Sequence, residues 1–324
     1  MSCRAIAELC QFVDNFVDKR VENHGDNITR NRKITIIFNP VAGNRRDALL
    51  HNVVSTLDQR GWQVSVVGTT GPGNATLVAA IAATNCVDAI IAAGGDGTIN
   101  EVVSGVAGTD IPVGIIPMGT ANVLALELGL PRRAAAIAEI ISAGATRRLH
   151  LARVNGRRFM LMVGAGFDGE VVHAISPGMK RRWGKYAFVI EGLRAILANP
   201  AQSLTVRADG VQHPAAWAVV TNIAHYGGPY VLLPNADPGE AVLTAILFRK
   251  AGRIAMCSNL LRIGLGIAAK ANAVSVIRAT SFEISGPSGV IVPVQVDGDA
   301  AGALPLRIDV TDQVIRVLAP ASGA

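Results

Sequence analysis

Aromatic residues make up only 4% of the 324 residues, and the four cysteines (Cys3, Cys10, Cys86 and Cys257) are scattered without a CxxC pair or zinc spacing. The first scarcity, with no recognisable zinc finger or aromatic RNA-binding strand, argues against nucleic acid as a partner. The second argues against a metal framework or a disulfide scaffold, and fits a reducing compartment. A long apolar run is missing too: no stretch of about 18 residues is free of charge or Gly/Pro breaks. The mean hydropathy of +0.37 therefore reflects Ala and Gly, and the chain is expected to be soluble. Glu8, Asp14 and Asp18 fall where a signal peptide needs its apolar core, so the reading is cytoplasmic. The GxxxxGK[ST] and GxGxxG nucleotide signatures are absent as well.

What remains is half hydrophobic and basic. Thirty Lys and Arg against 24 Asp and Glu give a net charge of +6 and a pI near 9.5, which suits an anionic partner such as a nucleotide or an acidic membrane surface. An amphipathic helix over Ile6–Val21, able to pair with a second copy as a homodimer or to lie on a membrane, is followed by the polar segment VENHGDNITRNRK. Strand-like runs (ITIIFNP from Ile34, WQVSVVG, DAIIAAG, VGIIP) then alternate with helix patterns at Arg46–Arg60, at Ala75–Ala83, from about Ile99 and after Thr120. Short alternating units of this kind imply a parallel sheet with helices on both faces.

From about Arg147 the pattern changes to closely spaced strands: HLARVNG, RRFMLMVGAG, SLTVRADG, AWAVVTNIAHYG, AVLTAILF, AVSVIRATSFEISG and LRIDVTDQVIRVLAP. Helical stretches at Tyr186–Leu197 and Ile254–Ala269 interrupt them, and the whole reads as an antiparallel β-sandwich. The expected organisation is thus an N-terminal helical extension (1–33), an α/β domain (34–146) and a β-rich domain (147–324).

Three glycine-containing loops fall at the ends of strands in the first domain: NPVAGN with Asn39 and Gly43, GGDGTIN from Gly94 to Asn100, and PMGTAN with Gly119 and Thr120. Ligands of open α/β sheets sit beyond the carboxyl ends of the strands. Backbone N–H groups at Gly94, Gly95 and Gly97, the Thr98 hydroxyl and the positive end of the following helix suit a polyphosphate. Asp96 conflicts with bound phosphate unless a cation intervenes, and a Mg²⁺ bridging Asp96 to the nucleotide resolves the conflict. The alternative is a tight turn with Asp96 as helix N-cap.

With these residues in hand, the chain resembles the diacylglycerol kinase catalytic-domain family, which includes bacterial lipid kinases and the sphingosine and ceramide kinases. The resemblance runs from about Ile34 to Pro320 through NPVAG, GGDGTINEV, PMGTANVLA, GAGFDG, NIAHYGG and VDGD. It implies an NAD kinase-like nucleotide domain, a lipid domain, and transfer of phosphate from Mg·ATP to a lipid hydroxyl in a cleft between them. Asn39, Thr69, Gly94 to Asn100 and Thr120 correspond to nucleotide-contacting positions. Asp299 stands where the family carries its proton-accepting glutamate, shortened by one methylene, or about 1.5 Å of reach. Asp297 is expected to hold Mg²⁺ or to orient that base, and DGD is also an ordinary hairpin turn. The family's Asp is replaced by Asn74 in one loop and by Val123 in another. Asp237 of NADPGEAVL matches part of a structural Mg²⁺ segment that Pro238 interrupts.

Candidate acyl-chain contacts are Phe167, Phe188 and Tyr226 to Leu233, which equally suit ordinary core. Lys180, Arg181, Arg182, Trp183, Lys185 and Tyr186 place cations beside aromatics ahead of an apolar helix, which suits anionic headgroups at the membrane inner face or a solvated basic surface. The competing readings are an NAD kinase-like or phosphofructokinase-like enzyme with a soluble acceptor, and a non-catalytic lipid- or nucleotide-binding protein.

Overall fold

The computed structural model describes residues 32–42, 47–176, 178–179, 185–198 and 203–321; of residues 185–189 and 198 only the backbone is described. The expected helix at Ile6–Val21, Gly43, and the basic run Lys180, Arg181, Arg182 and Trp183 lie outside the described residues, as do the side chains of Lys185, Tyr186 and Phe188. The described chain forms two compact units. One comprises the chain up to Gly119, Gly129–Arg147 and the chain from Ile315; the other comprises Thr120–Leu128 and Arg148–Val314. The division after Arg147 lies where the sequence pattern changes. That Thr120–Leu128 packs with the second unit, and that the last strand finishes in the first, was not legible in the sequence pattern.

In the first unit, β1 (Lys33–Phe38), β2 (Gln63–Gly68), β3 (Ala89–Gly94) and β4 (Val113–Pro117) form a parallel sheet in the order β2-β1-β3-β4. Every residue of β3 and β4 is buried, as expected of parallel strands covered on both faces. Helix α1 (Asp47–Gln59) buries Leu50, Val53 and Leu57, spaced to form one helical stripe. That stripe shares a core with Ile34, Ile36, Ile91 and Ile116, and with Ile137 and Ile141 of α5 (Ala134–Ala143). Each such side chain contributes about 1.5–3 kcal/mol by leaving water.

Helices α2 (Asn74–Ala82) and α3 (Asp96–Val106) pack against each other so closely that a Cβ on Gly105 would lie 2.4 Å from the Thr76 carbonyl oxygen. Glu101 of α3 reinforces this contact. Its two carboxylate oxygens accept from the N–H groups of Gly73 (2.8 Å) and Ala75 (3.0 Å) at the start of α2. A short helix α4 (Val123–Glu127) follows PMGTAN, where the sequence pattern placed a helix after Thr120.

The second unit is the expected antiparallel sandwich. One layer runs β14-β13-β10-β7-β16-β17; the other has β15 (Ser281–Ser285) between β18 (Leu306–Leu318) and β8 (Leu204–Ala208), with β9 (Val211–Ala215) at its edge and β5 (Thr146–Val154) and β6 (Arg157–Phe159) beside β18. Side chains from both layers, among them Phe159, Val163, Val220, Phe282 and Ile308, form its core.

Three expected strands are broken, each for a visible reason. RRFMLMVGAG splits into β6 and β7 (Met162–Ala165) where the N–H groups of Met160, Leu161 and Met162 turn to the Asp297 carboxylate at 3.1, 2.9 and 3.0 Å. AVSVIRATSFEISG splits into β14 (Val274–Ala279) and β15, in different layers, where Asp209 takes the N–H groups of Thr280 and Ser281. AWAVVTNIAHYG splits into β10 (Trp217–Thr221) and β11 (His225–Tyr226), where the Thr221 hydroxyl accepts from Ile223 N–H. The remaining elements include β12 (Tyr230–Val231), β13 (Leu243–Phe248), β16 (Pro293–Val296), β17 (Asp299–Ala303), α6 (Phe167–Ala174), α7 (Lys185–Ala198) and α8 (Arg253–Gly264). The sequence reading missed β9, β12, β16, β17 and α6, and it gave one helix after Thr120 where α4 and α5 stand. β9 is short and carries Pro214, which an edge strand tolerates.

Candidate active site

Because β1, β2, β3 and β4 run parallel, the segments that follow them share one edge of the sheet. This brings Asn39, Thr69, the Gly94–Asn100 turn and Gly119 to the carboxyl ends of adjacent strands. Asn39 Nδ2 donates to the buried Thr98 hydroxyl at 2.9 Å, while Asn39 Oδ1 accepts from Val41 N–H at 3.1 Å. Thr69 N–H donates to the Phe38 carbonyl at 2.8 Å, and Met118 N–H to the Gly94 carbonyl at 2.8 Å.

The glycines are required by close approach. A Cβ on Gly94 would stand 2.6 Å from Thr98 Cβ and Oγ1, and one on Gly95 would stand 3.2 Å from Gly119 Cα. Gly95, in an extended conformation, is the N-cap of α3 and brings no side-chain cap. The first N–H groups of a helix have no intrahelical acceptor, so the start of α3 suits an anion. Asp96 is therefore a first-turn residue of α3 and not its N-cap. Asp96 and Asn100, one turn apart, lie on the same face of α3. Thr120 opens the segment that belongs to the second unit.

Among the described residues no group of three His, Cys, Asp or Glu side chains converges as a metal cage. One carboxylate with a neighbouring amide nevertheless fits Mg²⁺, which keeps several waters and is held largely by substrate phosphates. Asp237 is exposed and its Oδ1 accepts from Gly239 N–H at 2.8 Å, closing a local turn.

In the second unit, Asp297 (φ 53°) and Gly298 (φ 84°) form a two-residue hairpin turn between β16 and β17, with Val296 opposite Asp299. Asp-Gly suits such a turn because both central residues need positive φ. Asp299 is thus the first residue of β17, exposed beside the turn. Asp297 uses both carboxylate oxygens on the three N–H groups named above. It thereby pins the hairpin that carries Asp299 to the β6–β7 junction, a contact the sequence reading did not foresee.

The residue that sequence reasoning passed over is Asp168, quoted within GAGFDG but given no role. It lies in the first turn of α6, 5% exposed. Tyr226 Oη donates to its Oδ1, and Gln295 Nε2 donates to its Oδ2 at 3.5 Å. Trp217 Nε1–H also favours the charged form, although it makes no well-formed hydrogen bond. Phe167 (5.1 Å between centroids) and Phe248 (4.0 Å, stacked) pack on Trp217. Burial in this aromatic setting outweighs the hydrogen bonds and pushes the Asp168 carboxyl up to about 6. Burial first, and then the adjacent Asp168, holds the Tyr226 hydroxyl well above its ordinary value. The available sequence signal was Gly164: a Cβ there would fall 2.3 Å from Asp168 Oδ2 and 2.8 Å from Gln295 Nε2.

Known proteins match both parts. Residues 33–154 fit the family model described as the diacylglycerol kinase catalytic domain, and residues 161–319 the one described as the YegS C-terminal NAD kinase beta sandwich-like domain. A diacylglycerol kinase of Mycobacterium tuberculosis (strain ATCC 25618 / H37Rv) is 30% identical over 302 residues, covering 90% of this chain and 96% of that protein. A diacylglycerol kinase of Bacillus subtilis (strain 168) is 32% identical over 228 residues, covering 68% and 75%. The crystal structure of a diacylglycerol kinase from Bacillus anthracis str. Sterne has a TM-score of 0.70 at 22% identity, covering 91% of this chain and all of that one, a likeness of fold. The chain therefore belongs to the diacylglycerol kinase catalytic-domain family and is a kinase.

Proposed function

We propose that the protein transfers the γ-phosphoryl group of ATP to a primary hydroxyl of a lipid such as diacylglycerol. The observation that carries this reading is the combination, in a chain of this family, of a glycine-lined phosphate edge on the first unit with an exposed carboxylate, Asp299, on a pinned hairpin of the second. The N–H groups around Gly95 and Gly97 and the start of α3 would hold phosphate oxygens. Asp96, with Asn100 beside it, would hold Mg²⁺ through the nucleotide, and the ion would neutralise charge on the transferring group. Asp299 would accept the hydroxyl proton as the new P–O bond forms. Incubation with γ-labelled ATP and a panel of lipids, read by product mass, tests this. Label should enter a lipid carrying a free primary hydroxyl; label entering NAD, with no lipid labelled, overturns the reading.

We also propose peripheral contact with an anionic membrane. No helix among the described residues is long and apolar enough to cross one. Leu193 and Leu197 of α7 are 57% and 67% exposed, and Ile254 and Leu261 of α8 are 88% and 65% exposed, with Arg194 and Arg253 on the same helices. Apolar side chains accompanied by cations suit insertion at a negative interface. Replacing both Ile254 and Leu261 by Glu should weaken sedimentation with phosphatidylglycerol vesicles by about tenfold or more. Activity on a dispersed short-chain lipid should be retained. Unchanged sedimentation would move the contact elsewhere.

A further inference from the structure

The Asp168 cluster lies within the second unit and ends on the turn that carries Asp299. Gln295 of β16 donates from Nε2 to Asp168 Oδ2 and accepts at Oε1 from Gly298 N–H at 2.8 Å. Gly298 is the residue before Asp299. At the other end, Tyr226 follows His225, whose N–H (3.1 Å) and Nδ1 (2.7 Å) both reach Glu127 Oε2 at the end of α4. Glu127 is itself 6% exposed on its side chain. A hydrogen-bonded series thus leads from a fixed carboxylate through Tyr226, Asp168 and Gln295 to the hairpin.

We propose that Asp168 is the positioning residue for the proton acceptor: accepting from both Tyr226 and Gln295, it holds the Gln295 amide in the one orientation that receives Gly298 N–H and so sets where Asp299 stands. The role given to Asp299 rests on the lipid-kinase reading; the link from Asp168 to Gly298 does not. The argument is one of donors and acceptors. The Gln295 amide has one donor end and one acceptor end. With Asp168 ionised, the donor end faces the carboxylate and the acceptor end faces Gly298 N–H, so both are satisfied. If position 168 presents a donor toward Gln295, the amide must either face it donor to donor or turn over. Turning over directs its NH₂ group at Gly298 N–H. Either way a hydrogen bond is lost in a buried site, and the turn loses the tether at Gly298 while keeping those at Asp297. Gly164 leaves the space that lets both side chains meet, and the buried indole of Trp217 closes the site on one side.

The arrangement predicts a specific rescue. Asp168→Asn can accept from Tyr226 through its oxygen, but its NH₂ group then confronts the Gln295 NH₂ group; turned over, its oxygen faces Gln295 but its NH₂ group faces the Tyr226 hydroxyl, whose proton loses the carboxylate it donates to. Adding Gln295→Glu restores complementarity, because a carboxylate at 295 accepts from both the new amide and Gly298 N–H. The experiment compares wild type, D168N, Q295E and D168N/Q295E in two readouts: kcat and KM with the lipid found active, and hydrogen-exchange protection of the Gly298 amide. D168N should lower kcat about tenfold to a hundredfold with KM for ATP unchanged, and should strip protection from Gly298. The double variant should recover both, while Q295E alone, with two carboxylates facing each other, should not. Normal kcat and normal Gly298 protection in D168N overturn the proposal while leaving the kinase intact. A double variant no better than D168N in either readout overturns it too. If wild type labels no lipid but Gly298 protection follows the predicted pattern, the positioning link stands and the function assigned to the site falls.

Discussion

Asp299→Asn is expected to lower lipid phosphorylation by about a hundredfold to ten-thousandfold, the usual contribution of a positioned general base. Nucleotide affinity, measured by calorimetry with a non-hydrolysable ATP analogue, should stay within about twofold, because the residues assigned to the phosphates lie at the carboxyl ends of the parallel strands and the start of α3, and none of them is on β17. Folding should also be preserved, since Asp299 is exposed and its neighbour Asp297 retains the contacts that pin the hairpin. Asp299→Glu provides the matching gain: it restores about 1.5 Å of reach at the position where the family carries glutamate, and should keep or raise activity. If Asp299→Asn retains more than a tenth of wild-type turnover, the proton is taken elsewhere.

Asp168→Asn should make the same protein slower and should raise its stability relative to wild type as pH rises from about 4 to 8. Asp168 has a carboxyl raised from 3.8 to about 6, so the folded state favours its protonated form. The sign follows. Its contribution to stability is most favourable below pH 4, is lost as pH rises from about 4 to about 6, and is fully unfavourable above that range. Two pKa units correspond to about 3 kcal/mol. Asparagine does not titrate, so the melting difference between variant and wild type should shift in the variant's favour by roughly 5–10 °C between pH 4 and pH 8, on top of a pH-independent cost for the hydrogen bond lost at Gln295. Among the described side chains, the other charged groups on the elements around Asp168 are Glu191, Arg194, Glu170, His173, Asp299 and His225. Glu191 of α7 is paired with Arg194 at 2.5 Å, Glu170 and His173 lie on α6 itself, Asp299 is exposed, and His225 is bound to Glu127. A gap of equal size at pH 4.5 and pH 8, measured by calorimetric melting, would remove Asp168 as its source. A carboxylate that costs stability at working pH is the pattern expected of a functional group.

The sequence reading recovered what depends on periodicity and local chemistry. The parallel α/β unit followed from unbroken β-branched runs such as ITIIF and AIIAAG, each buried on both faces. The glycine-lined edge followed from glycines at strand ends, which the Gly94–Thr98 and Gly95–Gly119 approaches explain. What was not legible depends on partners distant in sequence. The motif around Asp297 does not show that its carboxylate takes the N–H groups of Met160, Leu161 and Met162. Asp168 reads as a turn residue until Tyr226, Trp217 and Gln295 close around it. The broken strands have the same origin, since carboxylates from far along the chain capture backbone groups that a ladder would otherwise use.

The last strand has a consequence for how the protein is made. β18 pairs with β15 near its start and sets Val317 beside Val113 near its end, and Leu318 joins the core beneath α1 and α5. The first unit therefore includes residues that are translated after nearly the whole of the other unit. During synthesis its sheet leaves the ribosome with the β4 edge uncovered, and it stays open through some two hundred further residues. The order of translation is thus not the order of completion: the unit that emerges first has its last strand supplied by the end of the chain.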